Sequence, residues 1–231
     1  MKFLLVLVIS SISFKSFAQQ RYNAALLDTL EQIAATSTPG RHFAKLYLNA
    51  IESTNKFAGK QPENVRRFVF GFESYFAPEF FSSNKKFISQ LPLEICWQRY
   101  YTDTGLNELQ YQFMGMNAHI NGDMWRALKD KYSYDSIKKY KQPLLEFQQS
   151  LDVFFDSLYL TTNQYKNIRR LHFLTLGLDK LLIKKMILHW RIRQVRLALL
   201  WFTNPEKCAR KERRLKNKMQ QYDQLALRWV K

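Results

Sequence analysis

Within seven consecutive positions, Asn117, His119, Asn121 and Asp123 place two amides, an imidazole and a carboxylate in an otherwise apolar run from Tyr111 to Leu128. On a continuing helix, His119 and Asp123 lie four apart on one face, near enough to share a metal ion or a hydrogen bond. If the chain instead bends at Asn121 and Gly122, Asp123 becomes the N-cap of the next helix. Imidazole and carboxylate are both ligands for zinc or a similar divalent ion, and a bound ion lowers the pKa of its water to near 7. A catalytic zinc site takes about three protein ligands, so His42 or His189 is the candidate third ligand, with His172 the remaining histidine. Without a metal, Asp123 can orient His119 as a general base. The expected reaction class is a metal-assisted hydrolysis, with Asn117 and Asn121 orienting the substrate, an unidentified small molecule or envelope component. The structural alternative gives His119 a buried hydrogen bond and sets Asn117 and Asn121 to satisfy buried backbone groups.

Other chemistry-bearing patterns are sparse. The sequence contains no Ser-centred Gly elbow, phosphate-binding Gly loop, Cys-x-x-Cys pair or His-Glu-x-x-His helix. Glu52, Glu73 and Glu94 fall on or near expected helices and are candidates for lining a pocket. Arg191, Arg193 and Arg196, beside Trp190 and Trp201, could bind an anion by cation-π and bidentate contacts.

The run from Met114 to Met124, followed by Ala127 and Leu128, resembles the signature G-[IM]-N-A-H-[IV]-N-x-D-[LM] of an uncharacterised bacterial family, domain of unknown function 5995. Phe43 to Tyr47 ahead of Thr54, and the Arg- and Trp-rich segment from Trp190 to Trp201, are similar to that family's other helices. The resemblance implies a helical domain without an established activity, and it marks Asn117, His119, Asn121 and Asp123 as a site. His119 to Asp123 is also similar to the His-x-x-Gly-Asp element of the zinc-dependent phospholipase C group. That element continues with His and Pro, where this chain has Trp125 and Arg126, and four histidines cannot supply a three-metal cluster.

The elements that must position these residues are helical throughout. Phe43, Leu46, Tyr47, Ala50 and Ile51 form one stripe at helical spacing, after a break at Pro39 and Gly40. Val65, Phe68, Val69, Phe72 and Phe76 form a second, with Pro62 in its first turn. Leu144, Phe147, Leu151, Phe154, Phe155 and Leu158 form a third, opened by Pro143. Further helices are expected over 24–35, 92–101, 106–119, 123–131, 162–176, 178–202 and 206–230, with a joint at Gly177 and a break at Asn204 and Pro205. The last helix carries Leu215, Met219, Tyr222, Ala226 and Trp229 on one side and is expected to dock on its own domain. Burying a large side chain is worth about 1.5 to 3 kcal/mol, which favours one all-α domain of about eight to ten helices in a bundle-like or orthogonal packing.

Composition agrees with that class. Seven Gly and six Pro in 231 residues are too few for a turn-rich β-sandwich, and 18 Phe, 12 Tyr and 5 Trp supply abundant apolar area. Lys2, the apolar run from Phe3 to Phe14, and Ser16-Phe17-Ala18 read as a signal peptide over 1–18, leaving 19–231 as one helical domain. The expected location is periplasmic or secreted, which sets nucleic acid aside as a partner. The formal charge is +17, and from Lys180 to Lys218 thirteen Lys or Arg stand against Glu206 and Glu212. A basic region over about 178–231 attracts anions, so an anionic membrane surface, polysaccharide or protein partner contacted by a noncatalytic envelope protein is the alternative function. Cys96 and Cys208 are two buried thiols or one disulfide, and spacing does not decide between them.

Overall fold

A computed structural model describes residues 24–151, 165–175 and 178–229. The signal segment, the residues Phe154, Phe155 and Leu158 of the third stripe, and the joint at Gly177 lie outside the described residues. The side chain of Trp229 does too.

The chain is all-α, and no strand occurs among the described residues. Helix α1 spans 24–34. It is followed by α2 (Gly40–Gly59), α3 (Glu63–Ile88), α4 (Ile95–Thr102) and α5 (Glu108–Met116). A π-helical segment, Asn117–Asp123, joins α5 directly to α6 (Met124–Lys131). Then come α7 (Tyr134–Ser150), α8 (Lys166–Leu174), α9 (Leu178–Thr203) and α10 (Pro205–Trp229).

Helix boundaries follow local chemistry. Asn107 and Gln110 form a reciprocal capping box at the start of α5, each side chain bonding the other's backbone N–H at about 3.0 Å. Asn204 caps α10, its Oδ1 accepting from the Lys207 N–H at 2.9 Å. The expected start of α7 at Pro143 is incorrect, because Ser133 caps an earlier start, its Oγ accepting from the Ser136 N–H at 3.3 Å. Pro143 therefore lies inside α7, as Pro78 lies inside α3.

The aromatic stripe of α3, Phe68, Phe72, Phe76 and Phe80, is buried along one face at four-residue spacing. It meets Phe43 and Tyr47 of α2, Trp97 and Tyr100 of α4, and the π segment. In α9, Trp190, Arg191, Gln194 and Val195 are buried at successive angles, so its middle turns run through the core rather than along its edge. Helix α10 docks its Leu215, Met219 and Ala226 face onto the domain, as expected from its stripe. Cys96 and Cys208 are both free. Among the described residues, no helix is long and apolar enough to cross a membrane.

Candidate functional site

The chemistry-bearing segment is the central piece of the packing. Asn117–Asp123 touches α3, α4, α9 and α10, and all seven of its residues are buried. Two glycines allow this approach. A Cβ at Gly115 would stand 2.6 Å from the Phe43 ring, and one at Gly122 would stand 2.5 Å from the Cβ of Cys96. The chain neither stays a regular α-helix nor bends into a cap. It continues as a widened π turn, a form that recurs at functional sites, and Asp123 makes no capping bond.

Two residue pairs, each spaced four apart and offset by two, face opposite sides of the segment. On one side, the Asn117 amide donates to the Met219 carbonyl at 2.9 Å and to Asp223 Oδ1 at 2.7 Å, both on α10. Asn121 donates to Asn117 Oδ1 at 2.9 Å and accepts from the Gln194 amide of α9 at 3.2 Å. The two asparagines, expected to orient substrate, are committed to protein partners and tie the segment to α9 and α10. Burial pushes the Asp223 carboxyl up to about 7, against the opposing bond from Asn117.

On the other side, His119 Nδ1 and Asp123 Oδ2 lie 3.1 Å apart. Trp97 Nε1 also donates to Asp123 Oδ2, at 2.9 Å, and Arg126 donates to Oδ1 at 2.7 Å. Asp123 thus receives donors on both oxygens, which makes the imidazole nitrogen facing it an N–H donor and leaves Nε2 with the lone pair. The ring of Phe76 stacks on His119 at 3.6 Å between centroids, with Phe43 and Tyr47 edge-on. Burial lowers the His119 pKa, with Asp123 opposing, so the ring is held neutral. Nε2 has no hydrogen-bond partner among the described residues.

His119 lines a cavity of about 50 Å³ shared with Tyr47, Glu73, Phe76 and Arg191. Glu73 is buried, accepts from the Tyr47 hydroxyl at 2.8 Å, and has its pKa raised by burial against that bond and the nearby Arg191. Arg191 is 6% exposed and packs over the Phe147 ring, with Nε and Nη1 lacking partners among the described residues. Glu73 and Arg191 were among the sequence candidates. Tyr47, Trp97 and Arg126, which complete the arrangement, carry no signal beyond being aromatic or basic on an amphipathic helix. The other carboxylate candidates are spent elsewhere: Glu52 pairs with Lys56 on the surface, and Glu94 pairs with Lys86.

The other expected ligands lie apart. His42 stacks on Tyr111 at 4.8 Å and accepts from Arg41 Nε, and His189 is exposed on α9. No group of three His, Cys, Asp or Glu side chains able to hold a metal occurs among the described residues. Behind Asp123, a cleft of about 380 Å³ is lined by Glu79, Cys96 and Arg126. Burial, then the Asp123 charge, pushes the Cys96 thiol up, so it stays protonated and is a poor nucleophile.

Comparison with known proteins gives one result. The model of a family described as "Family of unknown function (DUF5995)" matches residues 23–228. No curated protein and no solved structure matches the chain.

Proposed function

This chain belongs to the family of unknown function DUF5995, and we propose that it is a hydrolase in which His119 is the general base and Glu73 the general acid. The observation that carries this reading is the meeting in one cavity of an imidazole aligned by Asp123, whose pKa burial lowers, and a carboxyl whose pKa burial raises. In this mechanism His119 Nε2 takes a proton from water as the water oxygen bonds to a substrate carbonyl. Glu73 gives its proton to the leaving oxygen as the carbon–oxygen bond breaks, and the proton on His119 then returns to Glu73 directly or through water. Asp123 holds the imidazole in the required tautomer and stabilises its cationic form, while Trp97 and Arg126 fix Asp123. The same proposal puts the reaction outside the cytoplasm, which the signal-like sequence of residues 1–18 supports.

The metal-assisted form of the reaction would need a third protein ligand beside His119 and Glu73, and no such group of three occurs among the described residues. The test is turnover of p-nitrophenyl esters of short acids by the full chain, before and after dialysis against a chelator. Turnover unaffected by chelation and reduced at least about 100-fold in His119→Gln and Glu73→Gln supports acid–base hydrolysis. Turnover lost on chelation and restored by zinc supports the metal-assisted form. No turnover, or equal turnover in His119→Gln, overturns the reading.

A second reading rests on a separate surface. Arg210, Arg213, Arg214, Lys216 and Asn217 line an open groove on α10. With the apolar side of α10 turned inward, this face offers charge without an insertion surface, which fits an anionic membrane or polysaccharide held by electrostatic attraction. Flotation with phosphatidylglycerol vesicles at low salt, abolished by Arg213→Glu with Arg214→Glu, supports it. Flotation indifferent to those changes ends it.

A further inference from the structure

Arg191 is the least compensated charge in the core. Its guanidinium is almost fully buried, and neither Nε nor Nη1 finds an acceptor among the described residues. The nearest acid in influence is Glu73, yet the two form no ion pair among the described residues, and Glu73 turns its Oε2 to the Tyr47 hydroxyl. Burying an ion is costly unless a counterion and hydrogen bonds meet it, and removing one partner of a buried pair leaves the other strongly destabilising. A guanidinium without its partner, on the wall of a cavity, therefore describes half of a pair.

We infer that the cavity binds a small carboxylate-bearing molecule, with Arg191 as its counterion. The geometry of the guanidinium suits this ligand, because its fork of N–H groups matches the two oxygens of a carboxylate. The volume suits it as well: about 50 Å³ holds a carboxylate and one or two attached carbons, but little more. Charge selects against phosphate. One guanidinium balances one negative charge, and burial, which raises the pKa of Glu73 beside it, disfavours a second. The apolar walls from Leu46, Phe76 and Ile120 would meet the hydrocarbon next to the carboxylate. This deepens the hydrolase reading by naming the acid that hydrolysis of a short ester would release into the site, and it rests on that reading only for how the acid is formed.

The test is thermal unfolding of the full chain in sodium acetate, sodium chloride and sodium phosphate at matched ionic strength and pH. Acetate at 100-fold over its dissociation constant should raise Tm by several degrees, on the order of 5 °C, with chloride and phosphate having little effect. Arg191→Met should remove the acetate shift, and Arg191→Lys should reduce it. If Arg191→Met does not fold, the loss of response in Arg191→Lys and direct titration of ¹³C-acetate into the parent chain decide the matter. Equal shifts in acetate and chloride, a larger shift in phosphate, or an undiminished acetate shift in the arginine variants would overturn the inference. The two proposals separate by readout, ester turnover for the hydrolase and the Arg191-dependent acetate shift for the carboxylate site. Acetate binding without ester turnover retires the hydrolase and leaves the carboxylate site. Turnover with no Arg191-dependent acetate shift does the reverse.

Discussion

Replacing Asp123 by Asn changes one oxygen to NH₂ and tests the whole site at once. Asp123 accepts from Trp97 at 2.9 Å, His119 at 3.1 Å and Arg126 at 2.7 Å, and the carboxylate is fully buried. An asparagine can keep only one of its two sides as an acceptor. With its NH₂ toward the ring pair, His119 can switch tautomer and accept, but the Trp97 indole N–H cannot and is orphaned, at about 1 to 3 kcal/mol. With its NH₂ toward Arg126, two N–H donors collide and the guanidinium keeps only Cys96 Sγ, at 3.7 Å, and Glu79, at 3.9 Å. Either orientation also removes the charge paired with Arg126, and breaking a buried pair costs about 3 to 5 kcal/mol in total. With a urea dependence of about 2 kcal/mol/M, the midpoint should fall by about 2 M, read by circular dichroism at 222 nm. A second readout is specific to orientation: ¹⁵N-edited NMR should find the proton on Nδ1 of His119 in the parent, and in the folded variant on Nε2 where the NH₂ faces the ring pair and still on Nδ1 where it faces Arg126. A midpoint shift below about 0.5 M, or a parent His119 protonated on Nε2, would refute the assignment of Asp123 as the orienting acceptor.

Three further outcomes follow from the same geometry. Asp223 titrates at about 7 in the fold against 3.8 unfolded, so the native state binds more protons between those values and stability falls as pH rises through them. Asp223→Asn keeps an acceptor for Asn117 and should be more stable than the parent at pH 8, by at most about 4 kcal/mol from about 3 pKa units, with the gap closing near pH 4 in urea titrations. Gly122→Ala should cost about 1 to 3 kcal/mol by overpacking against Cys96, and Cys96→Gly should recover more of that loss than Cys96→Ser, because the collision is with both Cβ and Sγ and serine keeps an atom at each place. If the chain turns over an ester, His119 must be neutral and Glu73 protonated. The acid limb of kcat/KM should then lie below 6.5, the unperturbed imidazole value from which burial lowers it. The alkaline limb should lie above 4.5, the carboxyl value from which burial raises it, and Glu73→Gln should remove that limb from any residual rate.

The parts of the fold that were legible in the sequence are those set by periodicity. The α2 and α3 stripes, the break at Asn204 and the inward face of α10 each reflect apolar residues three and four apart, and burial acts on that spacing directly. Pro143 misled because a proline at the head of a stripe is indistinguishable from one inside a helix when the N-cap, here Ser133, is a common residue. At the site, the proximity of His119 and Asp123 was legible because four residues is one helical turn. The π widening was not, since it depends on Gly115 and Gly122 meeting Phe43 and Cys96, which are 72 and 26 positions away in the chain. The asparagines belong to the same class of miss. Two interleaved pairs must face opposite ways on any helix, so Asn117 and Asn121 could not share the face of His119, but only the placement of α10 makes them a structural tie.

The distribution of satisfied and unsatisfied groups separates a structural polar core from a site. Burying so many polar side chains among aromatic rings is unfavourable unless each finds a partner, and around Asp123, and on the Asn117 face apart from Gln194 Oε1, the partners are present. A core polar network kept only for packing specificity would be complete in every direction. Here the buried atoms lacking partners include His119 Nε2 and Arg191 Nε and Nη1, and both side chains line one cavity beside Glu73, whose pKa burial raises. Completing the network therefore takes a molecule that accepts from a guanidinium and donates to an imidazole at once. Water can do the second but leaves the charge of Arg191 unbalanced. An anion with an associated proton donor, such as a hydroxy acid or a carboxylate with one bound water, meets both requirements, and it would do so next to the one base and the one acid that the cavity holds ready.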